Sequence, residues 1–273
     1  MINFIAEILG ALIRLIYNVV GENYGLSIII FTILTKIILF PITYNQTKSM
    51  DEMNKIAPLE NEIRQKYKGN KEKMAEELSK MYSEHKVNPM GGCLSLLIQI
   101  PIIFAMFYIV KQPLTYIMQV PQEQLQVYTQ EYLGKEEVTE NEVKQYEINV
   151  ASAKKLIDMK FLGIDFGDVP SNAFSKDATK KASYYSLIVP VLSLVFSILQ
   201  TKMSQKNSKM TEEQMEQQKT MNLMMPLLSA YISYIMPLAL GIYWLIGNVL
   251  QMLTQLIINS MLKRKKIMLE GSK

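Results

Sequence analysis

Tyr24-Gly-Leu-Ser-Ile-Ile-Ile-Phe-Thr-Ile-Leu-Thr-Lys-Ile-Ile-Leu-Phe-Pro-Ile-Thr43 contains a single charge, Lys36, in a stretch otherwise apolar enough to cross a bilayer. A charged side chain at mid-bilayer costs about 2.5–3.5 kcal/mol even on the mildest scales, so an intramembrane lysine marks a candidate functional site. The alternative is snorkelling. Lys36 is seven residues from Thr43, about 10 Å at helical rise, and its stem can reach that interface.

The rest of the chain decides the class. No Asp, Glu, Lys, Arg or His occurs from Thr220 to Leu262, a run of 43 residues. As helix that run is about 64 Å, twice the roughly 30 Å hydrocarbon core. It is predicted to fold back once, at Pro237. Windows at 92–111 and 184–203 complete a count of five spans: 24–43, 92–111, 184–203, 221–236 and 238–262. The expected fold is an all-α membrane protein, with five transmembrane helices around a polar groove and a cytoplasmic helical hairpin.

Charge orients it. Residues 44–91 carry nine Lys/Arg, 201–220 carry four, and the tail after Leu262 carries five. The positive-inside rule puts the N-terminus outside and the C-terminus in the cytoplasm. Residues 111–183 balance nine Lys against eleven acids. At that length they weigh little in the rule, and 112–183 form an external segment.

Residues 1–20 lack a basic n-region and a small-residue cleavage pattern. Asn3, Glu7, Arg14 and Asn18 share one helical face, which predicts an external amphipathic helix lying in the interface. Residues 44–91 read as two helices around the turn Lys68-Gly69-Asn70. Their apolar stripe, Met50, Met53, Ile56, Leu59, Ile63, Tyr67, Met74, Leu78 and Met81, is expected to lack a core of its own. It would then pack on lipid headgroups or a passing partner. Residues 204–220 form a cytoplasmic loop and 263–273 a basic cytoplasmic tail. In the external segment, Glu140–Met159 is predicted to be one amphipathic helix.

Each span has a polar stripe at helical spacing. The sets are Thr32 and Lys36; Ser95 and Gln99; Ser186, Ser193, Ser197 and Gln200; Asn222, Ser229 and Ser233; and Trp244, Asn248, Gln251, Gln255 and Asn259. Interhelical hydrogen bonding explains some of the serines. It explains less well a lysine with no acid in any span. A charged Lys36 needs water, so a hydrated groove is expected; a neutral Lys36 is the other option.

The chain has one Cys, Cys93, and one His, His85. A disulfide framework is excluded, and a Cys/His metal site is not expected. There is no Gly-rich phosphate loop and no nucleophile-base pair in a span, so no cofactor and no enzyme activity are expected.

Several motifs in order resemble the YidC/Oxa/Alb membrane-insertase family. They are Thr32-Ile-Leu-Thr-Lys36-Ile-Ile-Leu-Phe-Pro41, Asn88-Pro-Met-Gly-Gly-Cys-Leu-Ser-Leu-Leu-Ile-Gln-Ile-Pro101, Phe161-Leu-Gly-Ile-Asp165 and Pro237-Leu-Ala-Leu-Gly-Ile-Tyr-Trp-Leu-Ile-Gly-Asn248. The likeness runs from about residue 20 to 266. Lys36 stands where the family usually has arginine, Ser95 where proline is common, and Ala239 where glycine is common. The external segment is long, and the large periplasmic domain of Gram-negative members is missing, as in the short Gram-positive type.

The resemblance implies a nucleotide-free insertase and chaperone of the bacterial plasma membrane. It carries Thr32, Lys36, Gln99, Tyr243 and Trp244 into a client-binding groove, and the polar stripes add Ser95, Ser197, Gln200, Asn248 and Gln251 to the expected lining. Implied partners are nascent membrane proteins, the ribosome, the Sec translocon and the lipid bilayer. Lys263, Arg264, Lys265 and Lys266 would meet ribosomal RNA or acidic surfaces; DNA is not expected. The competing reading is a secondary transporter or lipid scramblase using the same groove. Against a transporter, the chain shows no paired repeats.

Overall fold

The computed structural model describes residues 2–88, 94–176, 182–205 and 212–270. Cys93 lies outside them, as does the Gly-Gly pair before it. Within them the chain forms nine α-helices: α1 Ile2–Val19, α2 Tyr24–Lys66, α3 Lys71–Glu84, α4 Leu94–Lys111, α5 Gln122–Leu133, α6 Glu140–Ala153, α7 Ile188–Gln205, α8 Glu212–Ile235 and α9 Leu238–Glu270. Four segments are long and apolar enough to cross a membrane: Ile2–Val19, Tyr24–Lys66, Tyr184–Ser204 and Leu238–Arg264. The apolar stretch of α4, Ile98–Lys111, is shorter.

The predicted fold-back is present. α8 ends at Ile235 and α9 begins at Leu238, with Pro237 buried in the break. α7 packs against both α8 and α9, and α2 packs against α9. Ser233 Oγ donates to Ser193 Oγ at 3.2 Å and joins α7 to α8. Ser193, Ser197, Ser229 and Ser233 are all buried, so these serines pack inside the helix bundle.

The N-terminal ends of α2 and α9 are held by one short hairpin. β1 Lys160–Phe161 pairs antiparallel with β2 Ile164–Asp165. Leu162 and Gly163 between them have φ of 52° and 78°, the left-handed pair that a two-residue turn demands. Phe166 O and Asp168 O accept from Ala239 N and Leu238 N at 2.9 and 2.8 Å. These bonds satisfy two of the N–H groups that a helix start leaves open. On α2, Gly25 lets the hairpin approach: a Cβ there would lie 2.6 Å from Phe161 Cβ.

α2 starts on an Asn23 cap, whose side chain accepts from Leu26 N at 2.8 Å. It then runs unbroken through Pro41 and Pro58. The boundary expected at residue 43 is therefore continuous helix. The turn at 68–70 stands as expected, with Asn70 capping α3.

The hairpin's stripe differs from expectation. Ile56, Leu78, Met81 and Val87 form a small buried core, with Met53, Ile63, Met74 and Tyr82 against it. The two helices bury most of the stripe against each other, and Met50 and Leu59 stay exposed. Beside this core Glu60 is 1% exposed, and Arg64 bonds it at 2.9 Å.

α1 has three faces. Ala6, Gly10, Ile13, Ile16 and Tyr17 are buried against the protein. Asn3, Glu7 and Asn18 are exposed polar residues. Phe4, Ile8, Leu15 and Val19 form a separate exposed apolar strip. The expected division into one polar and one apolar face is thus refined, because half of the apolar surface is taken by protein.

The helix predicted at 140–159 ends at Ala153, after a Thr139/Glu142 capping box at its start. It carries a buried acid that sequence reasoning did not single out. Glu147 is 1% exposed. It accepts from Thr115 N at 2.7 Å and Thr115 Oγ1 at 2.8 Å, tying α6 to the π-helical turn Leu114–Met118. Burial pushes its carboxyl up to about 7, against the opposing pull of these bonds. A raised carboxyl binds its proton more tightly in the folded state than in the unfolded one. Its stabilising contribution is therefore full below about pH 4.5 and falls as pH rises towards 7, by about 3 kcal/mol. Hydrogen exchange at 114–118 is expected to be slower at pH 5.5 than at pH 8, after correction for intrinsic rates. Glu147→Gln should flatten that dependence; an equally steep profile in the variant would assign it to another group.

Candidate client-binding groove

Lys36 recurs on its helix with Leu39, Thr43 and Gln46, spacings of three, four and three that keep one face. α9 presents Tyr243, Trp244, Gly247, Asn248 and Gln251 by the same rule. These faces, with Ile98, Gln99 and Ile103 of α4 and Gln200 of α7, line an open cavity of about 250 Å³. The lysine stem passes over Gly247, where a Cβ would lie 3.7 Å from Lys36 Cε, an ordinary contact.

The polar contacts inside are sparse. Lys36 Nζ donates to Gln251 Oε1 at 3.3 Å. Gln99 Nε2 donates to Tyr243 OH at 3.3 Å. Among the described residues no carboxylate pairs with Lys36. Gln46 Nε2 and Asn248 Nδ2 are buried and without a hydrogen-bond partner. A buried donor left unmade costs about 1–3 kcal/mol, so a wall holding two of them suits a polar occupant.

Seven of the ten residues expected in the groove line it: Lys36, Gln99, Gln200, Tyr243, Trp244, Asn248 and Gln251. Thr32 does not. It is fully buried, and its hydroxyl donates to Ile28 O at 2.6 Å within α2. Ser197 is also buried and off the lining. The side chain of Ser95 lies outside the described residues. Gln46 and Thr43 were missed, although they continue the helical spacing from Lys36. Lys263 and Arg264 are exposed on α9, at the end of its apolar stretch; the side chains of Lys265 and Lys266 lie outside the described residues.

Residues 15–266 match the family described as 60Kd inner membrane protein. A relative from Fusobacterium nucleatum, named membrane protein insertase YidC, is 31% identical over 253 residues, which cover 93% of this chain and 94% of that one. A relative of the same name from Geobacter sulfurreducens is 29% identical over 248 residues, 90% of this chain but 35% of the relative. The chain thus spans about a third of that longer protein's length. The fold also matches an active YidC insertase crystal structure with TM-score 0.53 at 21% identity, over 89% of this chain and 44% of that one. The apolar helices and this kinship place the protein in the bacterial plasma membrane. With the family matched along nearly its whole length and a full-length relative at 31% identity, the chain belongs to the 60Kd inner membrane protein family, that of the YidC proteins.

Proposed function

We propose that this protein inserts client membrane proteins through the groove between α2, α4, α7 and α9, without nucleotide hydrolysis. The observation that carries this reading is a wall that, among the described residues, holds one cation in a neutral, amide-rich lining with no acid beside it. Such a wall holds a polar segment loosely and attracts a negative one. The names of the relatives support the same activity.

In this reading five helices span the bilayer, α2, α4, α7, α8 and α9, with the N-terminus outside. α1 rides the outer interface. Its three faces suit protein, water and lipid together, which favours that placement over a sixth span. The driving force is the client's own. About 20 apolar residues gain by entering lipid, and the barrier is the polar tail that must cross. A groove open to water and lipid shortens the dry part of that path. Lys36 draws an acidic tail into it, and an inside-negative potential favours outward movement by about 2.3 kcal/mol per charge per 100 mV. The α2–α3 hairpin receives the client, and the basic end of α9 touches the ribosome; the Sec translocon is a further proposed partner.

The test is protease protection of a small client with a short acidic external tail, in proteoliposomes with an imposed inside-negative potential. The tail is expected to become protected well above the level in protein-free liposomes. Equal protection with and without the protein would sink the reading.

A further inference from the structure

Apart from Lys36, the polar lining of the groove is dominated by carboxamides. Gln46, Gln99, Gln200, Asn248 and Gln251 come from four different helices, and among the described residues no carboxylate lines the cavity. Both hydroxyls in the same wall are already engaged: Thr43 Oγ1 donates to Leu39 O of its own helix at 3.0 Å, and Tyr243 OH accepts from Gln99 Nε2. The amides are less so. Gln46 is only 8% exposed, yet its Nε2 has no partner, and neither has Asn248 Nδ2. Gln251 is bonded through Oε1 and Gln99 through Nε2, so each is engaged by one end of its amide.

A carboxamide offers one C=O acceptor and an NH₂ donor, the same pair that a peptide group offers. An extended tail crossing a bilayer carries an unpaired N–H and C=O at every residue, and lipid cannot satisfy them. We propose that this carboxamide set is a binding site for the client's backbone peptide groups. Resting on the insertase reading, it divides the groove's work: Lys36 selects for charge, and the amides take main chain whatever the side chains are. Uncharged tails of any sequence are then accepted.

Two synthetic clients with the same apolar helix test this, one with a short glycine tail and one with an equal tail of N-methylglycine. N-methylation removes the N–H that the carboxamide oxygens would accept and keeps the C=O that their NH₂ groups take, so each peptide group loses one half of its two-point pairing with an amide, and no charge is added for Lys36 to read. Tail protection is measured in proteoliposomes, and the rate in protein-free liposomes is subtracted. The glycine tail is expected to cross at least about fivefold faster, the ratio one neutral hydrogen bond of about 1 kcal/mol supplies. In Gln46→Leu combined with Asn248→Leu the ratio should fall close to one. The single Gln46→Met variant, near in volume, is expected to lower the ratio by itself and serves if the double variant does not fold. Equal rates for both tails in the unaltered protein, each above background, would overturn the proposal while the insertase stands. A ratio preserved in the variants would overturn the assignment to these amides. No protein-dependent crossing of either tail would remove the insertase reading and this inference with it.

Discussion

Lys36→Ala is expected to slow insertion of a client with an acidic tail about tenfold or more, and Lys36→Glu further still. Two unit charges 4 Å apart interact by about 1 kcal/mol in water and about 4 kcal/mol at an effective dielectric of 20. The groove lies between those limits, since it is open on one side and walled by Ile42, Ile98 and Ile103 on others. Lys36→Arg should keep most of the rate, because attraction of a carboxylate needs only the charge, and the Gln251 contact needs only an N–H donor. A client with an uncharged tail should lose much less in Lys36→Ala. Comparing the two tails in one set of proteoliposomes separates a charge effect from a folding defect, which would depress both. If both tails slow equally while the variant stays folded, Lys36 acts by hydrating the groove and not by attracting the tail.

The legibility of this chain followed the range of the interactions involved. The break at Pro237 was readable because a charge-free run longer than one span has to turn, and proline ends a helix. Groove residues on α9 were readable because helical spacing alone puts Trp244, Asn248 and Gln251 on one face. Gln46 was not, because α2 runs past the expected boundary at Thr43 as one helix, and a glutamine beyond a span looks like ordinary solvent-facing chain. Thr32 was misleading for the opposite reason. Its hydroxyl satisfies itself on Ile28 O, so its polarity never reaches the groove. The core of the α2–α3 hairpin depends on pairing Ile56 with Leu78 and Met81 across a turn, which a stripe on either helix does not reveal. Glu147 was one of eleven acids in its segment, and only the close approach of Thr115 sets it apart.

The hairpin's buried pair carries the largest expected effect on stability. Arg64→Leu should destabilise the packing of α3 on α2 by about 3 kcal/mol or more, the loss seen when one partner of a buried ion pair is removed. The asymmetry of burial is the reason. Glu60 is 1% exposed on its side chain and Arg64 28%, so removing the arginine takes the countercharge from an acid that water does not reach. Tyr82 of α3 bonds both members, which couples the pair on α2 to the second helix. Glu60→Gln combined with Arg64→Leu should recover part of the loss, since the uncharged amide can still meet Tyr82 at lower desolvation cost. Hydrogen exchange over 71–84 measures this directly: protection should fall sharply in Arg64→Leu and return partly in the double variant, while the protection of α7 and α9 stays unchanged. Unchanged exchange in α3 after Arg64→Leu would mean that Ile56, Leu78 and Met81 hold the hairpin by themselves. Insertion rates in the same two variants then separate two roles of the hairpin. A rate that tracks α3 protection means that clients need it folded; a rate that ignores it leaves the groove sufficient.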